Sequence, residues 1–416
     1  MAKLKFGRYD YAAFVSFFAY AAGVMVIPVA LMSLSADLGF SIDEGGDGGM
    51  TAAGVLEVAR TSTMVLSMLL CGFVAGRFGK RKTLGGTVAL MSIGVGICAI
   101  APVYGILFLA MLVVGFGQGG IEGLATPFTH DLHPEEPGRY INFTHSFWSV
   151  GVLVTVLVSG ALLSLGVSWR VLVGAASVLG FIAAATLLGP ERKGHEYPEH
   201  PEPIHWSDVA SHGKDILRRR HFWLFFAAMF VAGGGEFGLT YWIPSFIQKN
   251  FLPEAWAGGV GTAFFAGGMF LGRTGWGHFI KQHQLKQLVV VSAIVGTVIT
   301  LSFMIVTNPW VMFGLLFVAG VASAPFWPSV QSYCATRLKG ADTTMLFILL
   351  SCAGIPGCGF ATLMMGYIGD KAGLRIAFLF IPVCYIVLAA IIGFDWFRLT
   401  REEDDTEIAD AAPEQP

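Results

Sequence analysis

Twelve apolar runs, each long enough to cross the roughly 30 Å hydrocarbon layer of a bilayer, leave this chain few folds to choose from. They fall at about 12–34, 51–75, 84–101, 105–128, 142–165, 169–189, 221–248, 256–279, 286–307, 309–335, 343–367 and 374–398. In hydrocarbon every backbone N–H and C=O must be bonded internally, and runs of about 20 residues have the length of helices rather than of membrane strands. The expected fold class is an all-α integral membrane protein with twelve transmembrane helices. Composition agrees, since 13% of the 416 residues are charged against about 25% in a soluble domain. The 53 Gly and 34 Phe suit closely packed helices in lipid better than a catalytic α/β domain. A net charge of −2 gives no basic excess for nucleic acid. The six cysteines (Cys71, Cys98, Cys334, Cys352, Cys358, Cys384) lie inside apolar runs and at no zinc-like spacing, so no metal, disulfide framework or cofactor is expected and the chain does not read as an enzyme.

Lys3, Lys5 and Arg8 precede the first run and Ala19-Tyr20-Ala21 imitates a cleavage site. The run continues well past that point, so an uncleaved first helix is expected. With the amino terminus inside, twenty of the 26 Lys and Arg fall in inner segments, which the positive-inside rule assigns to the cytoplasm. The expected location is a bacterial inner membrane, multi-pass, with both termini cytoplasmic. The polar stretch 190–220 separates six spans from six, giving an amino-terminal bundle over 1–189, a cytoplasmic linker over 190–220, a carboxy-terminal bundle over 221–400 and an acidic tail over 401–416. His195, His200 and His205 recur every five residues in the linker. That spacing fits no helix face, so a ligand role is not favoured. The tail reads as a solvated, disordered end.

The loop after span two runs Gly72-Phe73-Val74-Ala75-Gly76-Arg77-Phe78-Gly79-Lys80-Arg81-Lys82, and a related pattern, Gly366-Tyr367-Ile368-Gly369-Asp370-Lys371-Ala372-Gly373, follows span eleven. Gly72 and Gly76 permit close helix approach, Gly79 a tight turn, and the cations can hold helix ends and acidic partners. The first pattern resembles the G-x-x-x-D-R-x-G-R-[RK] signature of the major facilitator superfamily of secondary transporters, with Gly76 where that family carries Asp. Span four, Gly119-Gly120-Ile121-Glu122-Gly123-Leu124-Ala125-Thr126-Pro127-Phe128, is similar to a G-x-x-E-T-x-x-N-P-[YF] stretch of the fucose/proton symporter and its sugar-transporting relatives. The start of span five, Asn142 to Gly151, and the run from Ala324 through Asp370 resemble the same group. The resemblance implies two six-helix bundles around a central polar cavity, gating roles for Gly72, Arg77, Gly79, Arg81 and Asp370, and a coupling proton on Glu122. The first span, from Tyr11 to Leu34, contains no acid, whereas the fucose symporter has one there.

Charges inside the bilayer cost about 3 kcal/mol or more on insertion scales, so each needs a partner or a wet cavity. Glu122 lies among glycines in span four, and desolvation favours the neutral form of a carboxyl group. Glu236 follows Gly233-Gly234-Gly235 in span seven, where three glycines are expected to loosen the helix and expose carbonyls. It is the second proton-coupling candidate. Glu57 and Arg60, three apart, are expected to form a structural ion pair. Arg273 is expected to snorkel or to lock the inner gate. Trp169 and Trp310 read as interface anchors.

Candidate substrate contacts are Gln118, Asn142, His145, Trp148, Tyr241, Trp242, Trp327, Gln331 and Tyr333, a set of stacking rings and hydroxyl-binding groups suited to a sugar. The expected function is alternating-access secondary transport, with proton-coupled import of a neutral polar solute such as a monosaccharide. The partners expected are that small molecule, a proton or other coupling cation and the bilayer, with the protein a monomer. A drug/proton antiporter is the runner-up: Gly151 and Gly160 match the first interval of the antiporter glycine motif and the rest is absent. An organic-anion carrier would need a cavity-facing cation, for which Arg60 is the candidate.

Overall fold

The computed structural model describes residues 5–43, 48–135, 137–191, 196–198 and 206–411, without the side chains of 137–139, 142, 206–210, 344 and 399–411. The three linker histidines lie outside the described residues. The chain runs as α1 (Arg8–Leu38), α2 (Gly49–Phe78), α3 (Lys80–Ile100), α4 (Tyr104–Leu132), α5 (Pro137–Ser164), α6 (Trp169–Leu188), α7 (Trp206–Arg218), α8 (Arg220–Asn250), α9 (Ala255–Phe279), α10 (Leu285–Ser302), α11 (Pro309–Ser323), α12 (Phe326–Arg337), α13 (Thr343–Ala372), α14 (Leu374–Ala377) and α15 (Phe380–Ala411). No strand occurs among the described residues. Eleven segments are long and apolar enough to cross a membrane, with α11–α12 and α14–α15 each counted as one. The twelfth, α9, has the length, 25 residues, but its hydropathy is diluted by eight glycines and by Arg273.

Within the first half, α2 packs on α4, α3 on α4 and α6, and α1 on α5 and α6; within the second, α8 packs on α13 and α15, α9 on α11, and α10 on α15. The halves meet along α2 with α13 and α5 with α9. Glycine allows the backbones to touch. A Cβ on Gly115 of α4 would sit 1.9 Å from the Arg60 carbonyl, and one on Gly119 would sit 2.0 Å from that of Met64. Because lipid tails are as apolar as leucine, such van der Waals contact is what drives helices together in a bilayer.

We call the end where α1 begins and α15 leaves the base, and the opposite end the top. At the top, Cβ atoms built on Gly54 and Gly366 would fall 2.5 Å from Leu363 Cα and 2.3 Å from the Met50 carbonyl, and one on Gly259 would fall 2.3 Å from the Val156 carbonyl. The backbone N–H of Trp256 donates to Ser164 Oγ, 2.8 Å away. The hydrogen bonds described between the halves therefore gather at the top, and among the described residues no hydrogen bond or ion pair joins the halves at the base.

Two expectations change here. The 190–220 segment contains the helix α7, which packs on α13 and α8, buries Ile216 completely and pairs its Asp215 with Arg219, the cap residue of α8. Its neighbour Tyr197 stacks on Phe128 with centroids 4.6 Å apart and donates to Asp131 Oδ2 at 3.0 Å. α15 continues through the acidic stretch to Ala411, in keeping with the helix propensity of Glu402, Glu403 and Glu407; residues 412–416 lie outside the description.

Candidate functional site

α2 places Glu57 and Arg60 on one face, turned toward α4 and toward the second half. Arg60 Nε donates to Glu57 Oε2 at 2.9 Å, its Nη2 donates to Oε1, and its Nη1 reaches across to Gln118 Oε1 of α4 at 2.6 Å. Above the guanidinium, 5.3 Å away, lies the ring of Phe237 from α8, so this cation touches both halves. Glu57, Arg60 and Gln118 are 2%, 4% and 0% exposed. A planar guanidinium bonded on two edges and covered on a face is fixed geometrically as well as neutralised. The Gln118 amide nitrogen, also buried, has no partner.

One turn further along α4 comes Glu122, half-buried, with the Tyr20 side chain of α1 beside it. Glu57, Arg60, Glu122 and Cys358 of α13 all lie within electrostatic reach of Tyr20. Three helices of one half and one of the other thus converge on a small polar patch in an apolar interior. No cation pairs with Glu122 among the described residues.

The second half has its own pair. Arg273 Nη2 of α9 donates to Glu236 Oε1 of α8 at 2.9 Å and its Nε to the Ala324 carbonyl at 3.4 Å, at the break between α11 and α12. Arg273 therefore does not snorkel: it bridges three helices, its side chain 35% exposed. Glu236 Oε2 is buried and without a partner. The glycines before it do not loosen α8, which is continuous. They make room for neighbours instead, since a Cβ on Gly233 would meet the Gly354 carbonyl at 2.4 Å and one on Gly235 the Tyr385 ring at 2.5 Å. Tyr385, fully buried, shares a 2.7 Å hydrogen bond with Ser323.

Of the candidate substrate contacts, His145 shares a 2.9 Å hydrogen bond with Thr126 and lies 4.5 Å from the Phe17 ring. Trp148 is half-buried against the core, Trp327 packs on Gly354, and Gln331 donates to Ser351 Oγ at 3.3 Å. Asn142 is on α5, its side chain outside the description. Three others are committed to packing. Trp242 is fully buried with its N–H on the Thr362 carbonyl, Tyr241 donates to the Ala53 carbonyl across the halves at 2.9 Å, and Tyr333 donates to Asp395 at 2.5 Å. Their hydroxyl and indole groups read as polar recognition in the sequence, yet in the fold they satisfy buried acceptors.

Among the gating candidates, Arg81 donates to the Leu187 and Gly189 carbonyls at the end of the first half and pairs with Glu191 at the start of the linker at 3.1 Å. Arg77 lies over Phe78, Gly72 is half-buried on α2, and Gly79 takes φ +85° at the α2–α3 turn. Asp370 crosses between the halves, as described below. Trp169 is not an interface anchor: it is 4% exposed and donates to Asp37 at 3.1 Å, while Trp310 is 67% exposed. Tyr20, Phe237, Ser323 and Tyr385 were missed, because a lone Tyr, Phe or Ser in an apolar run carries no sequence signal of what it faces.

Twelve membrane helices in two six-helix bundles, meeting around buried charges, define a secondary transporter rather than an enzyme. The chain belongs to the Major Facilitator Superfamily, whose model matches residues 12–275 and 252–415. It is 34% identical over 97 residues to a niacin transporter of Acinetobacter baylyi, a match covering 23% of this chain and 22% of that one. It is 22% identical over 346 residues to a sialic acid transporter of Escherichia coli, covering 78% and 80%. Its fold is similar to a bacterial homologue of the human lysosomal transporter Spinster (TM-score 0.74, 17% identity, 92% of this chain and 95% of that one). It is also similar to the E. coli fucose:proton symporter (TM-score 0.62, 16% identity, 92% and 98%).

Proposed function

We propose that this transporter moves a neutral, hydroxyl-rich solute of monosaccharide size together with a proton, with both termini in the cytoplasm, and that Glu122 carries the proton. The observation behind this reading is the charge balance of the centre. Arg60 is matched by Glu57 and Arg273 by Glu236, whereas Glu122 lies beside Tyr20 and faces no cation. A site built this way has no uncommitted positive charge for an anion, and one carboxyl group that becomes neutral by taking a proton. An unpaired buried charge is expensive, so the reloading of Glu122 with a proton is tied to the closing of the site. His145, Trp148, Trp327 and Gln331 supply the stacking and hydrogen-bonding surface.

A second reading is favoured by one contact. Arg60 touches both halves through Gln118 and Phe237, and relatives carry names of carboxylate substrates, niacin, sialic acid and gentisate. A carboxylate would then take the place of Glu57 on the guanidinium.

Uptake into proteoliposomes separates the two. With labelled sugars, polyols and carboxylates offered with and without an inward proton gradient, uphill accumulation of a neutral sugar or polyol is expected, lost in Glu122→Gln while exchange persists. Accumulation of a carboxylate alone, abolished by Arg60→Gln, overturns the neutral-solute reading.

A further inference from the structure

α2 begins without a side-chain cap of its own. Its N-cap is Gly48, at φ +85°, and the first N–H groups of any helix have no partner inside it. Asp370, near the end of α13 in the other half and 5% exposed, fills the gap. Its Oδ1 accepts from the Met50 N–H at 2.9 Å, and its Oδ2 accepts from the Thr51 N–H at 2.8 Å and the Thr51 hydroxyl at 2.6 Å. A carboxylate there also meets the positive end of the helix dipole. The cap exists only while the two halves touch at the top.

The internal repeat sets the counterpart side by side with it. Gly72, Gly76, Arg77 and Gly79 recur 294 positions later as Gly366, Asp370, Lys371 and Gly373. The turns match: Gly79 has φ 85° and ψ 151°, Gly373 φ 86° and ψ 154°. The same interval carries Gly48 to Asp342 and Thr51 to Met345. Asp342 is the N-cap of α13, and its side chain accepts from the Met345 N–H at 2.7 Å. The carboxylates are therefore exchanged. α2 has glycine at its own cap and takes an acid from the other half, whereas α13 has its own acid, and the position that would serve it from the other half is Gly76.

We propose that this exchange of caps sets the resting conformation of the transporter. Opening the top strips α2 of its cap, while closing the base adds none to α13, which is capped in either state. The unloaded protein therefore rests with the top closed and the base parted. Restoring an acid at 76 gives α13 a second acceptor that is available only when the base closes, and moves the balance the other way. The inference rests on alternating access and not on the identity of the substrate or the ion.

Spin labels introduced as unnatural amino acids read both ends without substrate: Leu165 with Ile305 at the top, and Phe78 with Phe279 at the base, all more than half exposed. Pulsed dipolar distances should show short top and long base separations in the unmodified protein. Asp370→Ala should raise the ratio of top-open to top-closed molecules about fivefold, the factor expected from one helix cap, and Asp342→Ala should lower thermal stability without moving that ratio. Gly76→Asp should raise the base-closed population by a similar factor, and it decides the matter if Asp370→Ala does not fold. Unchanged distributions in folded Asp370→Ala, or in Gly76→Asp, overturn the proposal, as does an equal shift in Asp342→Ala. None of these results depends on whether a sugar or a proton is carried, so a failed uptake assay and a failed distance measurement are told apart.

Discussion

The two ion pairs within the spans use the same residue types in different ways. Arg60 and Glu57 sit three apart on α2, so no movement of one helix against another can separate them. Arg273 and Glu236 belong to α9 and α8, and Arg273 also holds a carbonyl at the α11–α12 break. Any rearrangement of those helices must stretch that pair. The first is a fixed counter-charge that lets a guanidinium exist in the membrane; the second ties the positions of three segments together. Equal chemistry at different sequence separation thus fixes one pair within a single helix and makes the other a tie between helices.

The sharpest way to break this contrast is to remove one partner of the fixed pair. Arg60→Ala leaves Glu57 buried and alone, and should lower stability by about 3–5 kcal/mol, seen as loss of folded protein in detergent thermal scans. Replacing both residues with apolar side chains of similar volume should recover most of that loss, and failure to recover would mean that the pair does more than neutralise itself. Arg273→Ala should cost clearly less, about 1–2 kcal/mol, because its side chain is one-third exposed and water screens the charge left behind. Its transport rate should fall further than its stability, as measured by initial uptake at saturating substrate; an equal fall in both would erase the distinction. Gly354→Ala tests the neighbouring slot, where an added Cβ would meet the Trp327 ring at 2.5 Å. About 1–3 kcal/mol of overpacking, with a shift in Trp fluorescence, is expected.

The smallest effect belongs to an exposed pair at the top. Ser41 and then Lys249 hold the Asp43 carboxyl below its usual range. A depressed folded value means that the contribution is present above about pH 4 and fades as the pH falls through the lowered value. Asp43→Asn should therefore leave thermal stability at pH 7 almost unchanged and make it slightly less sensitive to acid below about pH 4.

Spans, their number and the split into halves were legible because hydrocarbon imposes a length on every helix and a penalty on every charge. The positions of Glu57, Arg60, Glu122, Glu236 and Arg273 were legible for the same reason. What they face was not. Glu236 and Arg273 are 37 positions apart, and nothing local in either segment announces the other. Gly233 to Gly235 read as a loosened helix in sequence, because a sequence shows missing side chains but not the carbonyls and the Tyr385 ring that fill the space. Tyr241, Trp242 and Tyr333 read as substrate contacts in sequence, since a polar ring in an apolar run has two equally good uses and only the packing shows which acceptor it meets. The helix in the linker escaped because Pro and Glu dominate the surrounding composition, while its apolar positions number too few to stand out.

The glycines of α9 have a consequence for which changes a lineage of this protein can accept. Gly268 and Gly272 bring α9 against α11, where added Cβ atoms would fall 2.0 and 2.6 Å from Phe317 O and Ala324 Cβ. A larger residue at either position has to push α11 away, which costs the close contact that holds helices together in lipid. Gly267, Gly275 and Gly277 of the same helix have nothing within 4 Å of an added Cβ. One helix therefore carries two kinds of glycine: positions that inheritance must hold, and positions it is free to exchange for alanine or serine.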